Sequence, residues 1–249
     1  MAERHFYEQR NHTLNYLLPY LETHIPDFYG KRVLEVGCAE GGFLDVLQKK
    51  KMVVMGVELL PHRVKIALDK NPNLKIVIGD ITTPDIVKKL GMQFDVIVLR
   101  DVIEHIPDRQ ALFTNITRLL QPGGYVYVSF PPRFSPFAGH QQNFRSILRF
   151  IPFLHFLPAW GIRLLGKTFH ENPRFTEEVI LNYTIGLTIS AFERYCQQFH
   201  FRPVVKGLFL IRPIYRTRFG VPIKRLPSIP VLREVFVMGC ECLLQWYPT

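Results

Sequence analysis

Apolar residues follow two rhythms along this chain. Leu14, Leu17, Leu18 and Leu21 stand at i, i+3, i+4 and i+7, which predicts an amphipathic helix over residues 8–23. Pro26 and Gly30 then break the chain. From Val33 the rhythm becomes short, nearly continuous apolar runs at 33–36, 52–57, 74–78, 94–99 and 125–130, the pattern of buried parallel strands. Leu112, Phe113, Ile116, Leu119 and Leu120 form one face of a helix that Asp108 can cap, and Gln121 to Gly124 stop it. Thr82 or Thr83 can cap an earlier helix, with Pro84 in its first turn. Strands alternating with helices predict an α/β fold around a mostly parallel sheet.

Residues 132–186 lose this pattern. Pro132, Pro136, Pro152, Pro158 and Pro173 interrupt a segment crowded with Phe, Leu and Ile, and arginines rule out a membrane span there. The segment reads as an insertion that roofs a pocket, with a monotopic membrane patch or a dimer interface as alternatives. Order returns at Ser190, which with Glu193 gives a capping box for a helix that buries Phe192, Tyr195, Cys196 and Phe199. Residues 201–211 and 235–244 are the last two strand candidates.

The first strand runs into Gly37-Cys38-Ala39-Glu40-Gly41-Gly42. Glycines there permit positive φ and let a flat ligand approach the backbone, while the next helix aims its first N–H groups at the turn. Gly37, Ala39 and Gly42 fit a degenerate dinucleotide fingerprint. Glu35, Gly37, Ala39 and Gly41 fit E-x-G-x-A-x-G, which resembles the first motif of class I S-adenosylmethionine-dependent methyltransferases. Glu58 lies 21 positions after Gly37, where an adenosine site places a ribose-binding carboxylate. Asp80 follows the third strand, and Asp101-Val102-Ile103-Glu104-His105-Ile106 follows the fourth. The last run looks very like the D-V-(I/L)-E-H signature of the subgroup containing the ubiquinone- and menaquinone-biosynthesis methyltransferases.

That resemblance covers residues 31–131. It implies a Rossmann-like sheet of seven strands with helices on both faces and the last strand antiparallel. It divides one domain into an N-terminal helical segment (1–30), a cofactor core (31–131), a substrate-covering insertion (132–186) and a C-terminal helix with closing strands (187–249). It also implies S-adenosyl-L-methionine as cofactor. Glu35, Gly37 and Arg100 would hold its amino-acid end, Glu58 the ribose, and Asp80 and Ile81 the adenine, with Cys38, Ala39, Gly41 and Leu59 also binding the cofactor. His105 is then the candidate general base for a hydroxyl acceptor, because imidazole titrates near neutrality, with Glu104 beside it; pinning the loop is the alternative role for both. Asp101, Glu104 and His105, at i, i+3 and i+4, with His140, resemble the set by which some family members hold Mg²⁺.

Composition adds three constraints. At 47% hydrophobic and 21% charged, the 249 residues are globular. Four cysteines without framework spacing, and an N-terminus lacking the apolar core of a signal peptide, favour a reducing cytoplasm. The net charge is +10, and beyond residue 200 eight Lys or Arg face only Glu234 and Glu241. That asymmetry suits an anionic membrane surface or nucleic acid, or simply solubility. The leading expectation is O-methylation of a small, aromatic or lipid-linked acceptor, with peripheral membrane contact and a homodimer left open. RNA methylation and a non-catalytic cofactor-binding partner are the alternatives.

Overall fold

The computed structural model describes residues 2–248. The leading helix is longer than the leucine spacing predicts: α1 (Ala2–His12), a π-helical turn (Thr13–Leu17) and α2 (Leu18–His24) run on from one another. Then come β1 (Arg32–Val36), α3 (Gly42–Lys49), β2 (Val53–Glu58), α4 (Pro61–Lys70), β3 (Ile76–Ile78), α5 (Ile86–Leu90), β4 (Phe94–Arg100), α6 (Arg109–Leu119) and β5 (Leu120–Phe130). The insertion contributes α7 (Ala159–Thr168) and α8 (Pro173–Ile185). The chain closes with α9 (Ile189–Gln198), β6 (Phe201–Ile211), α10 (Pro213–Phe219), β7 (Lys224–Arg225), α11 (Leu232–Phe236) and β8 (Gly239–Trp246).

The sheet order is β3-β2-β1-β4-β5-β8-β6-β7. The first five strands in that order are parallel, and β8 inserts antiparallel between β5 and β6. Each face buries its own core. Leu34, Val36, Ile97, Leu99, Val126 and Val128 face α6 and α9, while Val33, Val96, Val98, Tyr127 and Leu243 face the leading helix and α3.

Several expectations need correction. The sheet has eight strands rather than seven, because Lys224 and Arg225 add a two-residue edge strand to β6. Two exposed cations carry no apolar pattern by which it could be foreseen. β8 begins at Gly239, since Leu232–Phe236 coils into α11. Neither Thr82 nor Thr83 caps α5; Asp80 Oδ1 accepts from Thr82 N and Oγ1 at 2.8 Å, forming a turn first. Gln121 to Gly124 lie inside β5 rather than before it. Thr188, not Ser190, caps α9, and Glu234 from α11 accepts from Ile189 N and Ser190 N at 2.8 Å. A carboxylate brought in from elsewhere in the fold thus does the capping that Glu193 was expected to share.

Two of the insertion's prolines start helices instead of breaking them. Pro158 immediately precedes α7 and Pro173 occupies the first turn of α8, where a missing N–H costs nothing. Phe144, Leu148, Leu154, Ile162 and Val179 give this segment a small core of its own. No described helix is long and apolar enough to cross a membrane.

Candidate active site

A cavity of about 1060 Å³ opens where β1, β2, β4 and β5 end. Its floor is a transverse row. Arg100 pairs with Ser129 and Ser129 with Glu241, while Gly37 and Glu58 stand one residue beyond the last β1–β4 and β1–β2 pairs. Paired residues point to the same face, so polar side chains gather under the leading helix.

The turn after β1 has three residues at positive φ, Gly37 (67°), Ala39 (50°) and Gly41 (75°). A Cβ on Gly37 would stand 2.5 Å from Val102 Cγ2, so the loops after β1 and β4 meet backbone to side chain. Glu58, 5% exposed, ties the turn down: its carboxylate accepts from Ala39 N and from Leu60 N, both at 2.9 Å. The first amide of α3 does not point into open space, because Gln9 Oε1 accepts from Gly42 N at 2.9 Å. Gly42 is also where α1 crosses, for a Cβ there would meet Phe6 O at 2.4 Å.

Of the expected cofactor residues, Gly37, Ala39, Glu58, Leu59, Asp80, Ile81 and Arg100 line the cavity. Glu35, Cys38 and Gly41 stand behind its wall. Cys38 is wholly buried with its sulfur against Gly56, and Gly41 packs against Leu74 and Ala67. Glu35 is 1% exposed and accepts the Arg100 guanidinium through Oε1, while Arg100 lies 5.1 Å from the centre of the Phe43 ring. Burial raises the Glu35 pKa to about 7 against the opposing pull of Arg100. Its second oxygen is buried without a partner among the described residues.

The segment after β4 is not an α-helix, so Asp101, Glu104 and His105 do not share one helical face. Asp101 has φ 53°, and only Ile103–His105 turn, as 3₁₀. Asp101 N donates to Ser129 O at 2.8 Å, and its carboxylate accepts from Arg212. The side chain is surrounded by protein yet open to the cavity. Burial favours its neutral form, but Arg212 outweighs that and holds it below the usual carboxylate range. Glu104, His105 and His140 converge instead, with ligand atoms all within 4.8 Å of one another. Both Glu104 oxygens are buried and unpartnered among the described residues, and burial, then Asp101, pushes its pKa well up. The His105 and His140 rings meet edge to face at 4.9 Å. Burial lowers both, His140 to about 4, which favours the neutral imidazole.

Glu8, His12, Arg218 and Glu241 also line the cavity, and the sequence reading missed them. Tyr16 OH donates to Glu241 Oε1 at 2.7 Å, and burial raises Glu241 to about 7. His12 Nδ1 and Thr217 Oγ1 are hydrogen-bonded at 3.1 Å, and Glu8 pairs with Arg218 at 3.2 Å, so α1 is latched to α10 across the opening. The one available signal was the arginine-rich stretch 212–220, longer than a hairpin connection needs.

Comparison with known proteins shows the family and the fold. The family described as "Methyltransferase domain" matches residues 3–165, and the chain belongs to it. A ubiquinone biosynthesis O-methyltransferase from Coxiella burnetii is 28% identical over 162 residues, 64% of this chain and 62% of that protein. The chain thus spans less than two thirds of that relative's length. A phosphoethanolamine N-methyltransferase 1 from Triticum aestivum is 31% identical over 147 residues, 57% of this chain and 29% of its own. Among solved structures, the plantazolicin methyltransferase BamL in complex with a triazolic desmethylPZN analog and SAH superposes with a TM-score of 0.62 at 12% identity, covering 99% of this chain and 88% of that one. An S-adenosylmethionine-dependent methyltransferase from Mesorhizobium loti gives 0.57 at 15% identity, covering 91% and 96%. The fold is the Rossmann-like fold of S-adenosylmethionine-dependent methyltransferases, and S-adenosyl-L-methionine is the cofactor of this family.

Proposed function

We propose that this chain transfers the methyl group of S-adenosyl-L-methionine to an oxygen of a small aromatic or lipid-linked acceptor. The observation that carries the reading is one cavity with two chemistries. Glu58, Asp80 and Arg100 line the same cavity as the imidazoles of His105 and His140, whose pKa values burial lowers. The residues fit the cofactor. Glu58 suits ribose hydroxyls and Asp80 and Ile81 an adenine edge, all of them lining the cavity.

The cofactor supplies an activated methyl, so the chain has mainly to align and to remove a proton. His105 would take the proton of the acceptor hydroxyl. Asp101 and Arg212 neutralise one another at the rim, and the insertion residues Phe137, His140 and Phe150 cover the acceptor. O-methylation by the Coxiella relative supports an oxygen acceptor. Nucleic acid fits less well, since Arg212, Arg218, Arg233 and Lys206 are tied to Asp101, Glu8 and Glu193 instead of forming an open stripe.

A second reading rests on the unpartnered Glu104 carboxylate beside two imidazoles. Glu104, His105 and His140 would hold a divalent ion that polarises the acceptor hydroxyl. With Asp101 engaged by Arg212, two nitrogens and one carboxylate suit Mn²⁺ or Zn²⁺ better than Mg²⁺. Incubation with labelled S-adenosylmethionine and a panel of phenols, catechols and their prenylated forms, before and after chelation, tests both readings. O-methylated product supports the proposal, and loss of product only on chelation selects the metal form. Methylation confined to amines would contradict it.

A further inference from the structure

We propose that the rim of this cavity docks on an anionic lipid bilayer, from which an amphiphilic acceptor enters; the entry step rests on the methyl-transfer reading, the docking does not. Two segments border the opening. Residues 141–170 carry Arg145, Arg149, Arg163 and Lys167, and residues 212–233 carry six Lys or Arg; neither has a single Asp or Glu. Of the 26 large apolar side chains exposed among the described residues, 13 fall in these two segments, about a fifth of the chain. Charge of one sign interleaved with exposed aromatic and aliphatic side chains is the composition of an interfacial surface.

The placement is specific. Phe150 and Phe219 are each 69% exposed, and both line the mouth, next to Arg149 and Arg218. The Arg149 guanidinium lies 5.2 Å from the centre of the Phe150 ring, an apolar body with a cation at its edge. On α7, Trp160, Arg163, Leu164 and Lys167 stand at i, i+3, i+4 and i+7. Trp160 is 71% exposed and Leu164 57%, while Ile162 and Gly166 on the opposite side are buried, with Gly166 against Thr176 of α8. Arg163 is tied to Glu177, leaving Lys167 as the cation of that stripe with no ion pair among the described residues. Leu148, between Ile147 and Arg149, shares the small insertion core with Ile162, so one rigid cluster carries both the rim turn and α7.

The charge selects the occupant. Of the ten cations, Arg163, Arg212, Arg218 and Arg233 are paired with Glu177, Asp101, Glu8 and Glu193; the six with no ion pair among the described residues would be repelled by a second copy of this chain, itself at +10, whereas phosphate headgroups neutralise them. An apolar-tailed acceptor held in the same bilayer then meets the cavity mouth without crossing water.

Cosedimentation with vesicles tests this. The full chain is mixed with phosphatidylcholine vesicles and with phosphatidylcholine vesicles containing phosphatidylglycerol, at low and high salt. Ile147→Glu/Trp160→Glu and Lys167→Glu variants are run alongside; none of these residues lines the cavity. S-adenosylhomocysteine affinity is measured by calorimetry on the same samples. The expected result is binding to phosphatidylglycerol vesicles that salt weakens, lowered about fivefold or more by Lys167→Glu and abolished by the double variant, with cofactor affinity unchanged. No sedimentation with anionic vesicles, double-variant binding equal to wild type, or a dimer in light scattering that the double variant dissolves would each overturn the docking. Vesicle binding without any cofactor binding would leave the docking standing and overturn the methyl-transfer reading, and acceptor entry with it.

Discussion

Glu58 is the residue whose loss the structure converts most directly into a number. Its two oxygens already accept from Ala39 N and Leu60 N at 2.9 Å, and it faces the cavity with 5% of its surface exposed. Hydrogen bonds to a charged acceptor contribute about 1.5–3 kcal/mol each. Glu58→Gln keeps the shape but offers one carbonyl where two carboxylate oxygens stood, and turns an NH₂ toward one of the backbone donors. Losing one ribose bond and weakening the other costs about 3 kcal/mol, a rise of roughly 100-fold in the dissociation constant for S-adenosylhomocysteine. Calorimetric titration reads this, with a urea melt as control for the turn. Affinity within about threefold of wild type, in a folded variant, would refute the assignment of Glu58 to the ribose.

Gly37→Ala should lower stability by at least about 2 kcal/mol in urea melts, because φ is 67° and the new Cβ stands 2.5 Å from Val102 Cγ2. Glu241 predicts a pH dependence. Its folded pKa, about 7, lies above the ordinary 4.5, so the folded state holds the extra proton between those values and stability is lost as pH rises through them. Glu241→Gln should reduce that slope, leaving the share of Glu35 and Glu104, and gain up to about 3 kcal/mol above pH 7, measured by melts at pH 5 and pH 8. His105→Gln should lower turnover by about 100-fold with little change in cofactor affinity if His105 is the base; unchanged turnover would remove it from the chemistry.

The cavity residues at the strand ends were legible because their placement is local. Glu35, Gly37, Glu58, Asp80 and Arg100 each sit where a strand ends, and strand ends are set by the apolar runs. The acceptor half was not, because its parts meet only through tertiary packing. Asp101 leaves the expected metal set because Arg212, 111 residues away, claims its carboxylate. Tyr16 and Glu241 meet across 225 residues, and Glu234 caps a helix 44 residues earlier. The insertion misled for a different reason. Its prolines are the same residues whether they end a segment or open a helix, and only the residues C-terminal to Pro158 and Pro173 decide between the two. The edge strand Lys224–Arg225 has no signal at all beyond two charges.

The most direct test of the account is calorimetric titration of the purified chain with S-adenosylmethionine, S-adenosylhomocysteine and NAD in parallel. Both adenosyl ligands are expected to bind saturably, at about micromolar dissociation constants, and NAD to give no heat. Binding of NAD alone, or of none of the three by a folded sample, would contradict it.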